Sequence, residues 1–180
     1  MPTVYLSPST QEYNTYVTGN SEEYYANLIV DAMIPYLRAS GIDFVRNDPG
    51  GTVADSIANS NAGNYDFHLA VHSNAAPPNL AGMLRGPDVY YYATSTRGRS
   101  AAEIIANNLR QIYPLPDLVS VVPTTTLAEL RRTEAPAVLV EVAYHDNWED
   151  ANWIINNIEA IGRNLALSVA DILGVPFVEP

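Results

Sequence analysis

The hydrophobic and polar positions along the chain form two alternating patterns. Short apolar runs are typical of buried strands, and longer segments with an apolar residue every three or four positions are typical of helices. The predicted strands are Thr3–Leu6, Ile42–Arg46, Asp66–His72, Asp88–Ala93 and Ala137–Val142, with a further short strand within Leu115–Pro123. The predicted helices are Glu22–Ser40, Val53–Asn61, Arg97–Tyr113 and Glu149–Leu173. This alternation predicts a single α/β domain with a mainly parallel twisted sheet of about six strands and helices on both faces.

The first predicted helix carries clear signals at both ends. Ser21 is a good N-cap, Glu22 and Glu23 stand in the first turn, where the helix dipole favours anions, and Gly41 follows the last turn. Pro35 lies inside this helix, and because proline cannot donate a backbone hydrogen bond we expect a kink or a break there.

The composition excludes several chemistries. The 180 residues contain no cysteine, and all nine basic residues are arginine. A thiolate nucleophile, a cysteine zinc site, a lysine Schiff base and a phosphate-binding P-loop are therefore ruled out. The net charge of −11 argues against a nucleic-acid partner and against an anionic membrane surface.

Two predicted strands end in residues that can carry chemistry. His72 closes the apolar run of the third strand, and Glu141 follows five apolar residues in the last strand. Ligands of parallel sheets gather at the carboxyl ends of strands, so both side chains are candidates for a site. Burial would raise the pKa of Glu141 and suit it to proton transfer, while an ion pair with Arg131 or Arg132 is the structural alternative.

The first strand and the helix after it point to the same edge of the sheet. The strand runs into the polar segment Ser7–Gln11, and Glu22 and Glu23 open the helix. One imidazole together with carboxylates and an open position is typical of a hydrolytic zinc site. His68 lies four residues, about 13 Å, before His72 on an extended strand, so we expect it to be structural. No Gly-x-Ser-x-Gly motif is present for serine catalysis.

Several of these segments resemble the zinc-dependent N-acetylmuramoyl-L-alanine amidases of the amidase-3 type, which occur in bacterial cell-wall hydrolases and phage endolysins. The similar segments are Ala70–Asn74, Pro136–Glu141 with Tyr144 and Asn147, Glu23 with Asn27 and Leu28, and Leu127–Thr133. The resemblance covers nearly the whole chain and implies one amidase-like catalytic domain over residues 1–180. It implies Zn²⁺ as cofactor and peptidoglycan as partner, cleaved at the amide between N-acetylmuramic acid and L-alanine of the stem peptide.

Carried over residue by residue, the resemblance implies that His72 and Glu23 bind zinc and that Glu141 is the catalytic carboxylate. The family's first strand ends in a histidine ligand, and Thr10 stands at that position here. Three outcomes stay open. Gln11 replaces the histidine as third ligand, His145 swings in from its loop, or the site does not hold zinc. If His145 is not a ligand, we expect it to be a surface-loop residue.

Three functions therefore compete. The first is an active zinc amidase, the second a non-catalytic wall-binding module on the same fold, and the third a zinc carboxypeptidase-like peptidase. A buried base at position 141 favours the first over the second. A peptidase would need a positive clamp for a terminal carboxylate, for which the candidates are Arg85, Arg97, Arg99 and Arg131.

The first residues lack the basic and apolar regions of a signal peptide, and no apolar stretch approaches the roughly 18 residues of a membrane helix. We therefore expect a protein that is made in the cytoplasm, does not insert into membranes and reaches the cell wall after lysis or by non-classical release.

Overall fold

Six strands form one sheet in this computed structural model, which describes residues 1–180. The strands are β1 (Thr3–Pro8), β2 (Asp43–Arg46), β3 (Phe67–Asn74), β4 (Asp88–Tyr92), β5 (Ser120–Thr124) and β6 (Ala137–Tyr144). Their order across the sheet is β2-β1-β3-β6-β4-β5. All neighbours are parallel except β4 and β6, which are antiparallel. The predicted α/β class and the mainly parallel six-stranded sheet are confirmed.

Six α-helices connect and cover the strands. They are α1 (Glu22–Ala39), α2 (Val53–Ala62), α3 (Thr96–Leu109), α4 (Ala128–Arg131), α5 (Trp148–Asn156) and α6 (Ile158–Leu173). The Ser21 side chain accepts a hydrogen bond from the backbone N–H of Tyr24, as its predicted role of N-cap requires. None of the helices combines the length and the hydropathy needed to span a membrane.

Two helix predictions need correction: the break that was one of the two outcomes expected at Pro35, and the uninterrupted final helix. The helix α1 continues through Pro35, because the residues on either side of it, Met33 and Leu37, are fully buried in the core and hold the last turns in place. The predicted final helix is divided at Asn157, which has a non-helical φ of −130°. The Asn157 carbonyl accepts the backbone N–H of Ile161 and so begins a new helix.

The two faces of the sheet are covered unequally. One face carries Leu69 and Val71 of β3 and Val138 and Val140 of β6, which join a large core with α1, α3, α5 and α6. On the other face the apolar core is small and contains only four buried residues, Ala70, Leu130, Ala137 and Leu139. Since side chains alternate along a strand, His68, His72 and Glu141 lie on this second, thinly covered face.

The contact between α1 and α6 depends on Gly162. A Cβ atom at this position would lie 2.5 Å from the Ala32 Cβ and 2.9 Å from the Ile29 carbonyl oxygen. We expect Gly162→Ala to lower the free energy of unfolding by about 1–3 kcal/mol, because overpacking outweighs the better helix propensity of alanine. Urea unfolding followed by circular dichroism measures the change in the free energy of unfolding. Gly50→Ala is the control, because a Cβ atom at that position would lie 3.5 Å from its nearest neighbour. Equal stability of the two variants would contradict the expectation.

Candidate active site

A cavity of about 610 Å³ opens where β1, β3 and β6 end. Its walls come from the residues after β1, from the segment around α2 and from the start of α4, and His72 and Glu141 face into it. These two residues are direct partners in the register between β3 and β6. The structure therefore brings together the two strand-end residues that the apolar runs predicted, as expected for a mainly parallel sheet.

The carboxyl group of Glu141 lacks a hydrogen-bond partner on its buried side. Its side chain is partly accessible from the cavity, but its Oε2 atom is buried and has no hydrogen-bond partner. Burial raises the pKa of the Glu141 carboxyl to about 7; His72 opposes this shift, while Glu22 and Asp88 add to it. No ion pair joins it to Arg131 or Arg132, which are exposed, so that structural alternative is wrong. A carboxyl group with a pKa near neutrality is suited to accept and return a proton.

His72 lies between two carboxylates. Its Nδ1 atom is 2.9 Å from Glu22 Oε1, and its Nε2 atom is 3.7 Å from Glu129 Oε2. Burial by itself would lower the pKa of His72, but the neighbouring carboxylates of Glu129, Glu22 and Glu141 raise it well above its ordinary value. Each ring nitrogen therefore faces a carboxylate, and the closer contact is with Glu22.

The carboxylate next to His72 belongs to Glu22 and not to Glu23. Glu22 is 2% exposed, whereas the Glu23 side chain turns away and accepts a hydrogen bond from Asn27 Nδ2 at 3.2 Å. The placement of Glu23 beside His72 is thus corrected. The reason is helix geometry, because Glu22 shares a face with the buried Ala26 and Ile29, and Glu23 is about 100° further round the helix. This spacing in the sequence could have identified Glu22.

Gln11 is linked to Glu22 through the side chain of Asn14. Asn14 Nδ2 donates a hydrogen bond to Gln11 Oε1 and another, of 2.9 Å, to Glu22 Oε2. The structure therefore gathers Gln11 and Glu22 around one amide group. Thr10, which stands where the resemblance places a histidine, also lines the cavity.

His145 is a buried residue, and the expectation of a surface-loop histidine is wrong. It is 4% exposed, its ring stacks on Tyr16, and its Nδ1 atom is 2.9 Å from the Ser73 hydroxyl. Burial lowers its pKa. The loop after β6 is joined to the loop between β1 and α1, since the backbone N–H of Val17 donates a hydrogen bond to the His145 carbonyl.

Glu129 is the site residue that sequence reasoning missed. It lies in the first turn of α4 and is 3% exposed. Its Oε1 atom lies 2.9 Å from His68 Nε2 and accepts a hydrogen bond from the Ser7 hydroxyl. His68 in turn contacts Ser60 of α2 through Nδ1 at 2.9 Å. Burial would raise the pKa of Glu129, but the hydrogen bonds from the two histidines lower it to about 2. No local signal distinguishes Glu129 from the exposed Glu134 nearby in the sequence.

His72 and the side chains around it, namely Gln11, Glu22 and Glu129, are called the centre. They do not fit the zinc site that the resemblance implies. No three His, Cys, Asp or Glu side chains are placed so that they could hold one metal ion. Glu22 and Glu129 lie at opposite ring nitrogens of His72, so they cannot both bind an ion that His72 binds. The Gln11 oxygen is already hydrogen-bonded to Asn14. Catalytic zinc sites ordinarily have three protein ligands, whereas each ring nitrogen of His72 is accompanied by a single carboxylate here.

The fold is similar to those of solved amidase structures. The N-acetylmuramoyl-L-alanine amidase AmiC2 of Nostoc punctiforme is 18% identical, with a TM-score of 0.83 over 96% of this chain and 97% of that one. Ami1 of Mycobacterium smegmatis, an amidase of the same description, is 17% identical with a TM-score of 0.81, again over 96% and 97%. Cwp6 of Clostridium difficile is 23% identical with a TM-score of 0.84, and the match covers 96% of this chain and 29% of that one. At these sequence identities, the similarity shows a shared fold and nothing more.

The sequence itself carries the family assignment. An uncharacterized protein of Clostridium perfringens is 28% identical over 127 residues, which are 68% of this chain and 37% of that protein. The chain thus matches little more than a third of that relative's length. The family model described as N-acetylmuramoyl-L-alanine amidase matches residues 9–171, nearly the whole domain. This chain therefore belongs to the amidase-3 family of N-acetylmuramoyl-L-alanine amidases.

Proposed function

We propose that this chain hydrolyses the amide bond between the lactyl group of N-acetylmuramic acid and L-alanine of the stem peptide in peptidoglycan. The observation that carries the proposal is Glu141, with a buried unpartnered oxygen and a pKa raised by burial to about 7, at a cavity of about 610 Å³. Membership of the amidase family supports the substrate class. We propose that the enzyme meets the wall after lysis or non-classical release.

The proposed role of Glu141 is to carry one proton through the reaction. Its carboxylate takes a proton from a water molecule as the water oxygen attacks the amide carbonyl carbon. The carbon–nitrogen bond then breaks as the carboxyl group returns this proton to the leaving amine of L-alanine. The second proton of the water leaves the new lactyl carboxyl group and is taken up by the released amine, so the products are a lactyl carboxylate and an L-alanine ammonium group.

The neighbours of Glu141 keep the reacting groups in place. His72 stands opposite Glu141 in the strand register and is held by Glu22 and Glu129 at its two ring nitrogens. In the family that the chain resembles, a bound zinc ion would activate the water and polarise the carbonyl group. Because the donors of this chain do not fit such an ion, no step is assigned to a metal here.

The second candidate, a non-catalytic wall-binding module, is favoured by one observation: the centre has only two paired donors where a zinc amidase needs three. The peptidase alternative finds no such support, because no arginine lines the cavity. Of its proposed clamp residues, Arg85 pairs with Asp150, Arg99 pairs with Glu103, and Arg97 lines another cavity.

The proposed reaction is tested by the chain ends that it creates. Incubation with purified peptidoglycan is expected to release stem peptides with a new N-terminal L-alanine, which amine labelling and mass spectrometry detect. Heat-unfolded protein is the control. Sedimentation of the protein with the wall without new L-alanine ends would show the binding module instead. Release of free C-terminal amino acids would show a peptidase and overturn the proposal.

A further inference from the structure

We infer that the centre of this chain lacks a third metal donor and does not retain zinc with the affinity of a catalytic zinc site, and that one added imidazole after β1 creates that affinity. This inference does not depend on the proposed hydrolysis, because it concerns which side chains can surround an ion.

The first reason is the arrangement around His72. The two ring nitrogens of an imidazole point away from each other, and here each faces a different carboxylate. An ion bound at Nδ1 could be reached by Glu22, whose Oε1 atom is 2.9 Å away, but not by Glu129. An ion at Nε2 would have Glu129 and not Glu22. Either position therefore offers two protein ligands.

The second reason is that Glu129 is held in place from its other side. Its Oε1 atom accepts hydrogen bonds from His68 Nε2 and from the Ser7 hydroxyl, and the residue is 3% exposed. Turning this carboxylate toward the Nδ1 side of His72 would leave His68 and Ser7 without their buried partner. Unsatisfied buried polar groups are costly, so the carboxylate keeps its orientation.

The third reason is the loop after β1, whose side chains are not grouped with Glu22 and His72 around one position. Thr10, Gln11 and Glu12 line the cavity, but no three His, Asp or Glu side chains are placed to hold one ion. The Gln11 oxygen and Glu22 Oε2 share Asn14 Nδ2 as their hydrogen-bond donor. An amide NH₂ group cannot bind a cation, and here it lies between the two oxygens that an ion would have to join. His145 is held by Ser73 and Tyr16 and is not among the residues that line the cavity.

A histidine in this same loop would supply the third metal ligand beside Glu22 and His72. Gln11 reaches the Glu22 carboxylate through one intervening group, and Thr10 lies beside it on the cavity wall. A histidine at either position would add a nitrogen ligand to the Glu22–His72 pair. Three ligands of the His and Glu type are the set that catalytic zinc sites use.

The test measures zinc retention without substrate. Four purified proteins are loaded with zinc and dialysed: the wild type, Thr10→His, Gln11→His and the control Gln111→His. The control adds a histidine at an exposed position in the turn after α3. Zinc per chain is measured by mass spectrometry and the Kd by calorimetry, after circular dichroism shows that each protein is folded. We expect wild type and Gln111→His to keep less than about 0.1 zinc per chain, and at least one loop variant to bind zinc at least about tenfold more tightly.

Two results would overturn the inference. Stoichiometric zinc in the wild type, retained as well as in the loop variants, would show that a third donor is present. Equally weak binding in the folded wild type and in both folded loop variants would show that a missing imidazole is not the cause. Neither result touches the release of L-alanine ends, so failure here and failure of the proposed function are distinguishable.

Discussion

Glu141→Gln is expected to slow the release of N-terminal L-alanine by about 10²–10⁴-fold, because the amide cannot accept the proton of the attacking water. The substitution keeps the size of the side chain and removes a carboxyl group whose Oε2 atom is buried without a partner. The fold is therefore expected to stay intact. The rate is measured on purified peptidoglycan by labelling new amino termini.

The matched control is Glu134→Gln, which makes the same chemical change at an exposed position. It is expected to hydrolyse peptidoglycan at the wild-type rate. If Glu141→Gln were as active as this control, Glu141 would not be the proton carrier, and the mechanism proposed for this chain would be wrong.

The same carboxyl group sets the expected pH dependence. Burial raises the pKa of Glu141 to about 7, so the proton-accepting carboxylate predominates only above that pH. We expect kcat/KM of the wild type to fall as the pH drops below about 7. A carboxyl group with the ordinary pKa of about 4.3 would stay ionised down to about pH 5. A flat profile from pH 8 to about pH 5 would thus exclude Glu141 as the titrating base.

Glu129→Leu is expected to lower the free energy of unfolding by about 3–5 kcal/mol, because it leaves two buried polar groups without a partner and each such group costs about 1–3 kcal/mol. The substitution leaves His68 Nε2 and the Ser7 hydroxyl without the oxygen that both contact. His68 is completely buried and Glu129 is 3% exposed, so the lost contact lies within the protein interior. Urea unfolding followed by circular dichroism measures the change.

A second variant tests the contact between these two side chains. His68→Leu combined with Glu129→Leu removes both partners and is expected to recover part of the lost stability, because the apolar pair leaves neither side of this contact unsatisfied. Glu134→Gln is the exposed control and is expected to change the free energy of unfolding by less than about 0.5 kcal/mol. If Glu129→Leu matched that control, the contacts of Glu129 with His68 and Ser7 would contribute nothing to stability.

The order of strands and helices could be predicted from the sequence because it depends on local patterns. Apolar runs such as Ala137–Val142 read as buried strands, and the N-cap Ser21 marks a helix start. The same patterns indicate His72 and Glu141, since each is a polar residue that directly follows an apolar run. Their meeting follows from the parallel arrangement of β3 and β6, which places both ends at one edge of the sheet.

What lies around these two residues was decided by contacts between distant parts of the chain. Glu129 is 61 residues from His68 in sequence, and the pair forms only because α4 covers the thin face of the sheet. His145 reads as an ordinary loop residue until Tyr16 and Ser73 enclose it. The sequence alone determined the α/β fold, the amidase resemblance and two residues of the site, because these depend on local periodicity and motif spacing. The tertiary structure decided that Glu22 and Glu129 contact His72 and that no third donor joins Glu22 there, because those contacts depend on how separate elements pack.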